Sequence, residues 1–325
     1  MSVKHVARVG ALGTVGVLTA LSMLVGCGSG EDEGKSDGAA AAPRQSSPTP
    51  TATPVSKPPV TPTPTRTRTS TASPTPSPAP SRTSGPTPSA VELPPLHAGF
   101  DYQIGGAYPP PSGVRIVSRD RSDSPAPGLY NICYVNAFQV QPGERRQWPA
   151  DLLLRDARGK VVVDGDWNEA LLDIGTPAKR ERVAARVNQW IDGCADKGFD
   201  AVEPDNYDSY TRSRNLLTAD DVTAFISLLS AHAHSRHLAI GQKNTVELAG
   251  LRKKAGLDFA VAEECGEYDE CGAYAKAFDD RVVVIEYTDS GLRKARSAFG
   301  DRLSIVRRDV MVSTPGDKEY VRRTR

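Results

Sequence analysis

The sequence predicts an α/β fold for residues 98–325 of this 325-residue chain, in the form of a (β/α)8 TIM-barrel-like single domain. Three observations lead there. Short apolar strands alternate with amphipathic helices, the order of a mostly parallel sheet. Five strands in a row end in polar residues: Asp173, Asp205, Lys243-Asn244, Glu263 and Glu286-Tyr287. In a β/α barrel those ends open on one face, where active sites are built. A doubly wound open sheet is the alternative, but no glycine-rich phosphate loop follows the first strand.

Ahead of that domain, Lys4, His5 and Arg8 precede an apolar run over residues 9–25, which closes on Leu24-Val25-Gly26-Cys27. A basic start, a short apolar stretch and small residues at its end make an export signal, not a membrane span. The Cys sits where a bacterial lipobox would place it. The expectation is a lipoprotein signal peptide over residues 1–26, lipidation at Cys27, and residence on the extracellular face of the cell membrane. Residues 27–97 are dominated by Pro, Ser, Thr and Ala, with repeats such as Thr61-Pro62-Thr63-Pro64. There is almost nothing to bury, so a disordered, semi-stiff stalk is expected.

Lys and Arg number 40 against 39 Asp and Glu, a formal net charge of +1, which argues against nucleic acid as a partner. With Cys27 set aside, Cys133, Cys194, Cys265 and Cys271 remain, and an even number outside the cytoplasm points to two disulfides. Cys265 and Cys271 flank a short acidic loop and form the natural local pair. Cys133 and Cys194 would then tie a strand to a later helix, although four cysteines allow three pairings. A zinc site is the rival reading, but no close Cys-x-x-Cys pair supports it.

Residues 129–135 read as a strand and residues 170–174 as another. From Pro177 to Lys197, Val183, Val187, Trp190, Ile191 and Cys194 recur at three- and four-residue steps, the spacing of a buried helix face. Residues 199–202 form the next strand, and Pro204 is expected to finish it, because proline cannot donate to a ladder. Thr218 begins a capping-box-like helix start before Val222, Phe225, Ile226 and Leu229. Strands follow over residues 238–241, 259–262 and 281–285, with a short helix over 274–278.

The stretch that carries the chemistry is Gly198-Phe199-Asp200-Ala201-Val202-Glu203-Pro204-Asp205-Asn206-Tyr207-Asp208. Carboxylates crowded where a buried strand opens into a loop repel and raise one another's pKa, a cost met more often at sites than in cores. Two carboxylates on different strands, with aromatics beside them, suit glycoside hydrolysis. No Ser/His/Asp set presents itself. His232, His234 and His237 cluster at a helix end, where a solvated surface run is the simpler reading, and His232 and His234 do not share a helical face. No metal or cofactor is called for.

Phe100-Asp101-Tyr102-Gln103-Ile104-Gly105-Gly106, the 198–210 stretch, Gly241-Gln242-Lys243-Asn244, Ala260-Val261-Ala262-Glu263-Glu264-Cys265 with Tyr268 and Cys271, and Glu286-Tyr287 together resemble glycoside hydrolase family 114. These are the endo-α-1,4-polygalactosaminidase-like proteins, with a β/α barrel. The resemblance implies hydrolysis of α-1,4-linked galactosamine-containing polysaccharide. It makes Asp205 the nucleophile and Glu263 the acid/base. It implies substrate contacts from Tyr102, Gln103, Asp173, Lys243, Asn244 and Tyr287. Tyr134, Glu203, Asn206, Asp208, Tyr268 and Glu286 complete the candidate substrate-binding set. Tyr134 reads equally as core, Glu203 as a partner of Lys243, and Asp208 as a turn cap. Adjacent strand residues face opposite ways, so only one of Glu263 and Glu264 can enter the pocket. Ala262 and Glu264 depart from the Asn and Gln usual in the family, and the first change would remove a hydrogen bond near Glu263. The rival to a lipid-anchored glycosidase is a barrel that binds cell-surface polysaccharide without cutting it. No protein partner is evident.

Overall fold

The computed structural model describes residues 91–324; the leader, Cys27 and most of the stalk lie outside them. Strands β1 (Gly99–Gln103), β2 (Val114–Asp120) and β3 (Tyr130–Asn136) come first. The short strands β4 (Gln139–Val140), β5 (Val163–Asp164) and β6 (Glu169–Leu171) follow, then helix α1 (Pro177–Lys197). Next are β7 (Ala201–Asp205), α2 (Ser209–Arg212), α3 (Ala219–Ser235), β8 (Ala239–Lys243), α4 (Arg252–Ala255) and β9 (Phe259–Glu263). The chain ends with α5 (Cys271–Ala277), β10 (Val282–Glu286), α6 (Asp289–Phe299), β11 (Ser304–Arg308) and β12 (Arg322–Arg323).

Among the described residues the main sheet runs β1-β2-β3-β7-β8-β9-β10-β11-β12, parallel except for β12. It curls until β1 lies beside β11. The seam there is bridged from both sides rather than laddered. The Ala98 N–H donates to Ser304 Oγ at 2.9 Å, and Arg322 of β12 reaches the Phe100 carbonyl at 3.2 Å. Two features depart from a regular (β/α)8 pattern: no helix follows β1 or β2, and β4, β5 and β6 make a separate antiparallel sheet. The strand expected over residues 170–174 belongs to that small sheet, so Asp173 does not end a barrel strand.

Strand alternation splits the interior in two. Phe100, Tyr102, Ile116, Ile132, Phe259, Val261, Ile285 and Val306 fill the inside of the curl. Val135, Val202, Ile240, Ala262 and Val284 face outward, against Val183, Val187 and Ile191 of α1 and Val222, Phe225 and Leu229 of α3. Each Val, Ile, Leu or Phe among them contributes about 1.5–3 kcal/mol on full burial.

Helix α1 keeps its expected bounds because both ends carry stop signals. Thr176 accepts from the Lys179 N–H, Pro177 occupies the first turn, and Gly198 closes the helix at φ +88°. Thr218 and Asp221 form the capping box of α3. Strand β7 runs past Pro204 to Asp205, against expectation. The Asp205 carbonyl turns to β3, where it accepts from Ala137. Pro204 therefore turns to β8, and that ladder has already ended at Val202↔Ile240. The missing N–H falls where nothing needs it.

Both expected disulfides form, Cys133–Cys194 across 61 residues and Cys265–Cys271 across 6. The first joins β3 to α1. Closing the longer loop removes more freedom from the unfolded chain. Cys133→Ala/Cys194→Ala is expected to lower the unfolding free energy by about 2–5 kcal/mol. Cys265→Ala/Cys271→Ala should cost less, with guanidinium denaturation as the measurement and the reverse order as the contradicting result.

Candidate active site

At the C-terminal ends of the barrel strands, side chains at inward positions converge on one ammonium group. Lys243 Nζ lies 3.0 Å from Glu203 Oε1, 3.2 Å from Asp205 Oδ1 and 3.5 Å from Glu263 Oε1. It also donates to Tyr102 Oη at 2.9 Å. Glu203, Asp205, Lys243 and Glu263 reach one another because each stands two or four residues beyond an inward apolar residue: Ala201, Ala239 or Val261.

Each carboxylate is separately held. Glu203 is fully buried and accepts from Tyr102 and Ser118, both at 2.7 Å. Tyr134 donates to Asp205 Oδ2 at 2.7 Å. Glu263 accepts from Tyr287 at 2.5 Å and from Asn244 Nδ2 at 2.9 Å, while its own N–H donates to Asn244 Oδ1. Asn244 and Asn206 sit at φ +48° and +67°, a region asparagine tolerates better than most residues.

The electrostatics follow from burial and pairing. Burial opposes ionisation of Asp205, but Lys243 and the Tyr134 hydroxyl outweigh it and hold the carboxyl below its ordinary range. Burial likewise opposes the charge on Lys243, and Asp205 and Glu263 overcome it, so the amine stays protonated. In Glu203 burial wins over Lys243, and its pKa is raised. Burial drives the Tyr102, Tyr134 and Tyr287 hydroxyls up, leaving them neutral donors.

Of the candidate residues, Tyr102, Tyr134, Glu203, Asp205, Lys243, Asn244, Glu263 and Tyr287 are brought together here. Asn206 borders them, donating to Asn136 Oδ1 at 3.0 Å. Five others are placed elsewhere. Gln103 faces outward beside Asp101 and accepts from Arg119. Asp173 is tied to Lys179 at the start of α1. Asp208 is held two-pronged by Arg212. Glu286 is fully buried behind the sheet, where Oε1 accepts the Gly266 N–H at 2.7 Å. Tyr268 is 39% exposed on the loop between the bridged cysteines. Ala262 packs in the outer apolar layer, so no hydrogen bond to Glu263 is lost by its being alanine. Glu264 leaves the strand at φ +57°, and Glu263 is the residue turned to Lys243.

Three contributors escaped the sequence reading. Ser118 belongs to β2, a strand not recognised, and would have been found by its alternation with Ile116. Asn136 donates to Glu169 Oε2 at 2.9 Å and so links β6 to the Asp205 edge of the site. Burial pushes Glu169 up to about 7, with Asp205 adding to the rise. His232 and His234 instead pair with Asp192 and Asp258. Cys265, Cys271 and Glu286 are close enough for a metal, but both sulfurs are committed to a disulfide.

Two predictions follow from these charges. Lys243→Met leaves Glu203 buried without its cation and should cost about 3–5 kcal/mol in chemical denaturation. Glu203→Gln/Lys243→Met should recover most of that, and equal losses in both variants would contradict the pairing. Burial pushes both Glu169 and Glu286 up to about 7 from an ordinary 4.5. The fold then holds protons that the unfolded chain has released. Their stabilisation is complete below pH 4.5 and is lost as pH rises toward 7. Asp205 acts in the opposite sense and only at lower pH. Glu169→Gln and Glu286→Gln should each flatten the fall of Tm between these limits; curves parallel to the parent's would count against it.

A model of glycoside-hydrolase family GH114 matches residues 80–323. The fold is similar to that of Aspergillus fumigatus Ega3, solved in complex with galactosamine, at TM-score 0.58 and 23% identity over 70% of this chain and 98% of that one. The glycoside hydrolase domain of PelA from Pseudomonas aeruginosa aligns at TM-score 0.46 and 15% identity, over 69% of this chain and 98% of that one. No curated protein sequence matches the chain.

Proposed function

The chain belongs to glycoside-hydrolase family GH114, and on that premise we propose that it is a retaining, endo-acting glycosidase that cuts α-1,4-linked galactosamine-containing polysaccharide. The observation that carries this is Lys243 holding Asp205 and Glu263 on one face of the barrel. Both oxygens lie on one nitrogen, at 3.2 and 3.5 Å, so they can stand no more than about 7 Å apart. That span accommodates the roughly 5–5.5 Å of a retaining pair.

Asp205 is the nucleophile. Its ionised oxygen attacks the anomeric carbon while Glu263 gives its proton to the departing glycosidic oxygen. Water then attacks the anomeric carbon of the ester, Glu263 takes a proton from that water, and the Asp205 carboxylate is released. Lys243 keeps Asp205 ionised, and Tyr134 fixes its second oxygen. Asn244 and Tyr287 aim Glu263.

Charge supports an amino sugar. With Glu263 counted as the proton donor, Lys243 still faces two carboxylates, Glu203 and Asp205. A site with more carboxylates than cations favours a protonated amine over a neutral N-acetyl group. The same reading keeps residues 1–26 as an export signal, Cys27 as the lipidated residue and the Pro/Ser/Thr-rich chain after it as the stalk to the membrane. The stalk stops short of residue 97, however: Val91 and Leu93 pack against the inner core, and Tyr130 and Arg281 donate to the Glu92 and Pro94 carbonyls.

Release of reducing ends from deacetylated galactosamine polymer is the test. The parent should cleave it, and Asp205→Asn and Glu263→Gln should each lower turnover by about 10²–10⁴-fold. Retention of the polymer without release would favour the binding barrel. Cleavage undiminished in either variant would remove that residue from its role.

A further inference from the structure

Glu286 does no work at the substrate face, yet its surroundings are built around it. It ends β10 on the outer side, fully buried, with Oε1 accepting the Gly266 N–H at 2.7 Å. The Glu267 N–H also favours its ionised form. Its other oxygen, Oε2, is buried without a hydrogen-bond partner. That oxygen lies against the first turn of α6: a Cβ on Gly291 would come within 2.1 Å of it. A Cβ on Gly266 would in turn meet the Gly291 carbonyl at 2.5 Å and the Ala295 side chain at 2.7 Å. Two glycines thus let loop, carboxylate and helix close on one another.

The loop held in this way is the one that leaves Glu263. The chain turns at once, with Glu264 at φ +57° and its N–H on the Ile285 carbonyl at 2.7 Å. The Glu270 N–H then returns to the Cys265 carbonyl at 2.7 Å, and the Cys265–Cys271 disulfide closes the loop. One residue separates Glu263 from this closed ring, so slack in the ring reaches the carboxylate directly. We propose that Glu286 is a positioning residue that anchors the 265–271 loop and thereby fixes where Glu263 stands. The catalytic consequence rests on the glycosidase reading; the anchoring does not.

The test combines hydrogen exchange of the 264–270 segment with turnover, in the full-length protein. Glu286→Ala should speed exchange of that segment by about tenfold or more, as expected when an anchored backbone opens locally. It should lower kcat by about tenfold to 100-fold, the scale of a small misplacement, with KM changed less than about twofold. Glu286→Gln, isosteric with the protonated acid and able to accept the same N–H groups, should restore most of kcat. Gly291→Ala, which crowds Glu286 without removing it, should reproduce the loosened loop should Glu286→Ala fail to fold. Unchanged exchange in folded Glu286→Ala or Gly291→Ala overturns the anchor. Faster exchange with unchanged kcat overturns the positioning role. A parent protein that cleaves no polymer, with faster exchange in the variants, refutes the functional reading and leaves the anchor standing.

Discussion

A single buried ammonium group organises this molecule. Lys243 is almost wholly removed from water, and an unpaired charge there would cost several kcal/mol. Three carboxylates and a phenol surround it instead, each on a different strand or at a different point along one. Glu203 is the structural partner: it is completely buried, and Tyr102 and Ser118 satisfy its oxygens together with Lys243. Asp205 and Glu263 are the partners left partly open to a substrate, at 19% and 22% side-chain exposure. One cation thus meets two needs. It pairs with a carboxylate deep in the barrel, and at the mouth it holds Asp205 ionised and lies 3.5 Å from Glu263.

The division of labour comes from strand alternation. Inward positions near the strand ends hold Tyr102, Ser118, Tyr134, Glu203, Asp205, Lys243 and Glu263. Outward positions at the same level hold Gln103, Ala262 and Glu286, and these support the frame. The Asp101 carboxylate illustrates the outer role: it pairs with Arg322 of the closing strand β12 at 3.0 Å and lies 3.6 Å from the buried Arg308. Chemistry and scaffold are interleaved residue by residue along the same strands.

That interleaving explains what could be read in advance. Elements with local signals were legible: α1 between Pro177 and Gly198, the Thr218 capping box, and the apolar runs leading to Lys243 and Glu263. So was the core of the site, since Glu203, Asp205, Lys243 and Glu263 stand at strand ends with charges that need partners. Two of the errors share one cause. Gln103 and Glu286 also stand at strand ends, and a strand end alone does not say which face a side chain takes. Parity against the neighbouring apolar residues would have separated Glu286 from Tyr287. Asp173 was misplaced for a different reason: the short apolar run before it pairs locally in an antiparallel sheet, and no local signal distinguishes that from a barrel strand. Ser118 depends on recognising β2, where its alternation with Ile116 is a local signal, whereas the Asn136–Glu169 link joins distant segments, which no pattern within either encodes.

The dependence of the site on Lys243 is open to direct measurement. Carbon-13 NMR can follow the Asp205 carboxyl through its titration in the parent protein and in Lys243→Met. With Lys243 present, Asp205 should titrate below the ordinary 3.8 of an aspartate, and without it burial should carry the same carboxyl above that value. An Asp205 that titrates alike in both proteins would contradict the assignment of its ionisation to the buried lysine.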